Sequence, residues 1–529
     1  MVPRFRFRPA RDAIILICIL FLLWRNSGNL DSLTDPEDRA EFIRDAFISG
    51  WEAYKKHAFP HDTLRPLTNG YYDDRNGWGC TAVDALTAAI LLDVPDAVDT
   101  ALTHISKIDW QQVLWPDIAT FGATIRYMGA MLSAWELLTS THSHLINDNS
   151  IPQLDNLLDQ AGNLADVLAS SFGSTRGINT NHINATTGEI SKSDSVDITI
   201  LSGLVLEWTR LSDLTGDTRY ERLVLQSLEP ILDPKPDFPS PFLGLFPKHL
   251  NIETGVFNTS DVGGWSHGGG GLYEMLLKLS LYDLVRFGSY RDKWILAAES
   301  TINHLASHPK GRPDLTFLAD FNKTELIYQQ DHSGMFAAAS FILGGTVTGE
   351  KRYLDFGLDL VDTYVKMYSS SITGIGPESV GWVPSTCETG EETREEVCKA
   401  PAEKAEYMKR AGFWPIDPAY HLRPEVLESL YYAYRATGDE KYREASWQII
   451  RNVIKWCKAG SAFAGLPDVN GKTNARNDAT FDLMHSYMLT ETLLYAYIIH
   501  LDDAPWQLRA DGKHSWVFST QAHPLRVRR

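Results

Sequence analysis

The chain has 529 residues, 44% of them hydrophobic and 22% charged, so it is long and apolar enough to bury a large core and is neither disordered nor of low complexity. A net charge of −18 excludes a nucleic-acid surface, because phosphate backbones are held by clustered Lys and Arg that displace counterions.

Residues 1–25 read as a targeting segment: Arg4, Arg6, Arg8 and Arg11 precede an apolar run from Ala13 to Trp24, which Arg25 closes. The run is shorter than the ~20 apolar residues that span a bilayer. Two readings follow. A retained signal anchor would leave the basic flank in the cytoplasm and the rest lumenal, as in a single-pass type II protein of the endoplasmic reticulum or Golgi membrane; a cleaved signal peptide would release a secreted chain. Sequons at Asn184, Asn258 and Asn322 agree with a lumenal address and are candidate glycosylation sites. Cys387 and Cys398 lie close together in a polar stretch and are a candidate disulfide for an oxidising compartment.

A polar linker covers 26–37, and beyond it helical periodicity dominates, with few alternating β-branched runs, so an all-α domain is expected over 38–525. One turn recurs: Thr215-Gly216-Asp217, Thr348-Gly349-Glu350 and Thr437-Gly438-Asp439, each followed within three residues by Tyr, with a weaker copy at Gly288-Ser289-Tyr290-Arg291. The glycine suits a left-handed helix C-cap, and the acidic residue suits the start of the next helix. A period of roughly 60 to 70 residues signals stacked helical hairpins, about seven of them, which either an open solenoid or a closed toroid would satisfy.

An ordered set of segments carries a family resemblance. It runs from Trp51-Glu52-Ala53-Tyr54 through Gly77-Trp78-Gly79, Val83-Asp84-Ala85-Leu86, Phe121-Gly122-Ala123-Thr124-Ile125-Arg126 and Leu206-Glu207-Trp208. It continues through Tyr273-Glu274, Leu276-Leu277-Lys278, Pro377-Glu378, Leu422-Arg423-Pro424-Glu425, Glu428-Ser429, Glu491-Thr492-Leu493 and Thr520 with Ala522-His523-Pro524. The chain resembles glycoside hydrolase family 47, the α-1,2-mannosidases. That resemblance implies an (α/α)7 barrel with the site in its central cavity, a glycan substrate, Ca²⁺ at Thr520, and inverting hydrolysis of α-1,2-linked mannose. Inverting hydrolysis needs one carboxyl to protonate the leaving oxygen and another to activate water.

Measured against that resemblance, several acids are absent. The position resembling the general acid is Gly122, and a second carboxylate falls on Gly270; Thr87, Ile200, His485 and Gln521 also stand where the family carries acids. Two cysteines that the family pairs fall on Met335 and Tyr364. Glu425 survives in the first turn of a helix, where the dipole favours an ionised carboxylate, and is the candidate base. His332 and His485 are its candidate proton-transfer partners, because an imidazole titrates near neutral pH. Arg126, Glu207, Glu274, Arg423 and Glu428 are the candidate substrate-binding residues. Calcium is set against by His485 and Gln521, since a hard cation wants supporting carboxylates.

Three functions follow from this residue set. The favoured one is a repurposed enzyme using Glu425 and histidine for proton transfer on another substrate, with natural-product biosynthesis as one setting. The alternatives are an active mannosidase trimming N-glycans, with Glu274 or Glu207 as the substitute acid, and a non-catalytic glycan-binding or quality-control protein.

Overall fold

The computed structural model describes residues 33–528 except 149, 191, 235–237, 239 and 472–480. The targeting segment 1–25 and most of the linker lie outside the described residues; among those described, no helix is long and apolar enough to cross a membrane.

Fourteen helices, taken in sequence pairs, carry the architecture. They are α1 (Pro36–His57), α2 (Cys80–Leu91), α3 (Pro95–Ile105), α4 (Gly129–Leu138), α5 (Ile151–Leu168), α6 (Val205–Thr215) and α7 (Arg219–Leu232). Then come α8 (Gly270–Tyr282), α9 (Leu284–Ser300), α10 (Ala337–Thr348), α11 (Lys351–Ser369), α12 (Glu425–Thr437), α13 (Glu440–Cys457) and α14 (Leu493–Ile498).

Burial sorts them into two rings. Helix α2 is buried at every residue, whereas α7 buries one stripe, Tyr220, Val224, Ser227, Leu228 and Ile231, at helical spacing. A helix buried all round needs packing on both sides, and a one-stripe helix faces solvent with the rest. Each even-numbered helix from α2 to α12 therefore lies inside, packed on the odd-numbered partner that follows or precedes it, and α14 packs on α1. The turn leading into α14 also packs on α2, so the first and last hairpins meet and the ring closes. Of the two architectures the hairpin period allowed, the chain adopts the closed (α/α)7 toroid.

The repeated turns behave as the sequence suggests. Gly216, Gly349 and Gly438 cap α6, α10 and α12 with φ of 78°, 76° and 68°, and Asp439 accepts a hydrogen bond from the Lys441 N–H at the start of α13. The weaker copy at Gly288 does not make a turn. It falls inside α9, beside a kink at Phe287, and the bend is made earlier by Asp283, which caps the N–H groups of Val285 and Arg286.

Two small β elements position the interior. A C-terminal hairpin, Trp516–Phe518 paired with Pro524–Arg526, packs on α8 and α4. Its Pro524 carbonyl accepts from Ser133 Oγ at 2.6 Å, and its Arg526 N–H donates to Glu136, which also pairs with Arg210. A three-stranded antiparallel sheet, Gln329–Asp331, Ser379–Gly381 and Trp414–Asp417, lines up the loops before α10 and α12. Cys387 and Cys398 are disulfide-bonded. At the two positions where the family carries cysteines, Met335 is fully buried and Tyr364 takes a hydrogen bond from Gln330, so packing stands in for the bridge.

Candidate functional site

The interior of the ring concentrates charge. Asp84 and Thr87 come from α2, Glu207 from α6, Glu274 and Lys278 from α8, and Glu425 and Glu428 from α12; Thr520 to His523 enter from the tip of the C-terminal hairpin. Arg126 and Glu491 sit on wide π-type turns, Thr124–Met128 and Met488–Thr492, and a third such turn, Trp265–Gly269, precedes α8. Wide turns of this kind often re-aim side chains at functional sites.

Glu425 is the first residue of α12, with Pro424 at the cap position rather than inside the first turn. Its Oε2 lies 2.9 Å from His332 Nδ1, and its Oε1 is 3.8 Å from the Arg423 guanidinium. Burial pushes the carboxyl up, but the His332 hydrogen bond, the His332 charge and Arg423 outweigh it and hold the pKa below the usual glutamate value. Arg423 is in turn fixed by Glu378, whose Oε2 accepts from Nε at 2.9 Å and whose other oxygen accepts from the His421 N–H.

His332 is fully buried and both ring nitrogens are occupied, Nδ1 by Glu425 and Nε2 by the Tyr368 hydroxyl at 2.6 Å. It stands behind the Glu425 carboxylate and fixes its orientation, and neither ring nitrogen is free to meet a ligand. His485 is different. Burial lowers its pKa to about 4, with Asp74 opposing and His421, Arg126 and Arg75 reinforcing the shift, so it is a neutral imidazole at physiological pH. It stacks on Tyr487 with ring centroids 5.1 Å apart.

The two glutamates considered as substitute acids are both buried. Glu274 is held by Lys278 Nζ at 2.5 Å and by the Thr520 hydroxyl at 3.0 Å. Glu207 is fully buried, neither of its oxygens has a hydrogen-bond partner among the described residues, and burial raises its pKa to about 8. It occupies room left by Gly129, where a Cβ would come within 3.6 Å of Glu207 Oε1. Glu428, one helical turn from Glu425, faces Lys278 at 3.9 Å and Tyr495 at 3.3 Å, and burial raises its pKa.

The two lost-acid glycines differ in their surroundings. At Gly122 an added Cβ meets only Arg75 Nε at 3.9 Å and Arg126 Nη1 at 4.0 Å, so the position is open. At Gly270 a Cβ would lie 2.5 Å from the Trp265 carbonyl oxygen and 2.8 Å from the Phe336 ring. Glycine therefore leaves open space at 122 but not at 270, where the backbone and Phe336 have closed in.

The calcium expectation meets a poor donor set. Thr520 Oγ1 donates to Glu274, and Gln521, a neutral amide where the family carries an acid, donates its nitrogen to Glu491 Oε1 at 2.7 Å instead of adding a carboxylate. Among the described residues no group of three or more His, Cys, Asp or Glu is placed to hold a metal ion. These residues do not fit a hard-cation shell.

Several residues of this interior were given no role from sequence. Glu378, Lys278, Glu491, Asp84 and His523 lie in the matched segments, so their presence was visible but their contacts were not. His523 bridges Asp84 at 3.2 Å and Thr87 at 3.1 Å, in effect occupying the space of an acid at 87. Arg75 and Tyr368 carried no signal at all, since neither periodicity nor spacing distinguishes them. The three sequon asparagines are at the surface or partly exposed.

Comparison with known proteins agrees with this architecture. The model of glycosyl hydrolase family 47 matches residues 46–527. The chain is 42% identical over 491 residues to the mannosyl-oligosaccharide α-1,2-mannosidase 1B of Aspergillus oryzae, covering 93% of this chain and 92% of that protein. It is 41% identical, with the same coverage, to the mannosyl-oligosaccharide α-1,2-mannosidase of Penicillium citrinum. The solved α-1,2-mannosidase of Trichoderma reesei superimposes with a TM-score of 0.87 at 37% identity, covering 93% of this chain and 99% of that one.

Proposed function

This chain belongs to glycosyl hydrolase family 47, and from that membership we propose that its barrel binds a glycan or glycoside of the α-mannoside class and has been repurposed from hydrolysis to proton transfer with Glu425 as the base. The family and its relatives, named for α-1,2-mannosidase activity, support the glycan-directed part. One observation carries the repurposed part: Glu425 keeps a hydrogen-bonded carboxylate with a lowered pKa, while the position that resembles the general acid is an open glycine.

A positioned general acid contributes ~10²–10⁴-fold, and glycine at 122 supplies none of it. Glu274 is paired with Lys278 and Glu207 is fully buried, which argues against either as the source of the missing proton. Glu425 retains what a base needs, an ionised carboxylate and a rigid orientation. His485 offers a neutral imidazole that hydrogen-bonds a ligand or accepts a proton. His332, with Tyr368 behind it, holds the Glu425 carboxylate in place. Secretory-pathway residence, by anchor or by secretion, is part of this proposal and rests on the basic-apolar N-terminus and the sequons.

The test is incubation of the purified protein with α-1,2-linked mannobiose. No mannose above a blank is expected; release at family-like rates, abolished by Glu425→Gln, would overturn repurposing and reinstate mannosidase activity. A binding-only role is the second reading, favoured by the same missing acid. It would be chosen if Glu425→Gln weakened glycan binding and no turnover were found with any glycoside.

A further inference from the structure

At Gly122 the geometry points to a seat for a carboxylate carried by the ligand itself, held by Arg75 and Arg126 in the space a glutamate side chain would fill. This rests on the reading that the barrel binds a glycoside, and it narrows that ligand to an acidic one, with the carboxylate on either the sugar or its aglycone.

The two heavy atoms nearest to a Cβ built on Gly122 are both guanidinium nitrogens, Arg75 Nε at 3.9 Å and Arg126 Nη1 at 4.0 Å, and nothing else lies within 4 Å. Arg126 is mostly buried, its side chain 14% exposed, yet among the described residues it pairs only with Asp84, Nε at 3.9 Å, beyond hydrogen-bond length. Asp84 is also shared with His523 at 3.2 Å, so it does not saturate Arg126. Arg75 donates Nη1 to the Asp74 carbonyl oxygen at 3.0 Å and lies 3.6 Å from the Asp74 carboxylate, and among the described residues its Nε has no acceptor. The other nearby acid, Asp62, is spent on the backbone N–H groups of Arg75, Gly77 and Cys80. His485, uncharged, adds a donor and no competing charge.

Partly buried guanidinium donors without acceptors are costly, and planar carboxylates are the partners they fit best, through paired N–H···O bonds. The glycine leaves the space, and the arginines supply the charge. A neutral mannoside offers these guanidinium groups only single hydroxyl acceptors, whereas a carboxylate offers a paired, charge-assisted one.

The experiment is equilibrium binding of sodium acetate to the full-length protein at constant ionic strength, with chloride as the replacing anion. Saturable acetate binding is expected in the wild type. Gly122→Glu, which puts a tethered carboxylate between the same guanidinium groups, should weaken it roughly tenfold or more. Arg75→Gln, at a side chain 38% exposed, should weaken it roughly fivefold or more and decides the matter if Gly122→Glu does not fold. Acetate binding no better than chloride, or equal in wild type and variants, would overturn the seat; inorganic phosphate binding roughly tenfold tighter than acetate would overturn its assignment to carboxylates. Acetate binding is read without turnover, so failure of the base leaves this result intact, and failure here leaves the base untouched.

Discussion

Burial drives the carboxyls of Glu425 and Glu207 in the same direction, and their partners separate them. Glu425 has His332 and Arg423 and ends below its usual value, whereas Glu207 has no hydrogen-bond partner among the described residues and ends near 8. The signs of their pH dependence are therefore opposite. Glu425 stabilises the fold above the unfolded carboxyl's pKa, and that contribution is lost as pH falls through its lower folded value. Glu207 stays protonated in the fold while the unfolded chain ionises, so from about pH 4.3 to about 8 it costs roughly 1.4 kcal/mol per pH unit. Glu207→Gln should flatten the fall in melting temperature between pH 5 and 8; a slope equal to that of the wild type would show that Glu207 is ionised in the fold. On the catalytic side, once a substrate is found, Glu425→Gln should cut turnover by ~10²-fold or more with the fold intact, measured as kcat at saturating substrate. His332→Gln should instead move the acidic limb of the pH profile upward, because the carboxylate loses its main stabilising partner.

At the scale of the helix, the hairpin turns rest on left-handed glycines, and a side chain there is refused by the backbone alone. Around Gly216, Gly349 and Gly438 an added Cβ meets nothing within 4 Å. The cost of substitution is then the left-handed backbone itself, about 1 kcal/mol for alanine and less for asparagine, which tolerates that region. Gly438→Ala should lower the urea midpoint accordingly, and Gly438→Asn should recover part of the loss. The failed fourth copy, at Gly288, shows the limit of the motif. Asp283 already caps the start of α9 five residues earlier, so the chain has turned before the glycine is reached.

For the whole molecule, closure depends on segments far apart in sequence. Helix α14 packs on α1, and the C-terminal hairpin ties α4 and α8 together through Ser133, Glu136 and Lys278. Ending the chain after Ser515 would remove the buried Val517, Phe518 and Leu525, worth about 1.5–3 kcal/mol each, and would leave Asp84 and Glu136 without hairpin partners. Loss of cooperative unfolding and rapid proteolysis are expected. The donor geometry at Thr520 also makes a prediction for the intact protein: EDTA and added Ca²⁺ should leave the melting temperature unchanged within error. A site filled at 100 times its Kd would add about 2.7 kcal/mol and be plain in the scan.

Local patterns were enough to read the all-α class, the hairpin repeat, its capping glycines and the adjacent cysteine pair, because each is written in spacings of a few residues. The missing acid at 122 was equally legible, since a resemblance along the chain needs only residue identity. Tertiary structure alone decided the rest. Ring closure depends on α14 meeting α1, a contact no local period encodes. Gly122 and Gly270 are the same residue in sequence, yet one borders open space between two arginines and the other lies against a carbonyl and Phe336. By residue type His332 is a candidate proton carrier, but only the fold shows that Glu425 and Tyr368 occupy its two nitrogens, and what a histidine can do depends on those partners. Arg75 was invisible until the fold brought it to Gly122: an ion-binding seat is a matter of distance, and distance between residues remote in sequence is set by how the helices pack.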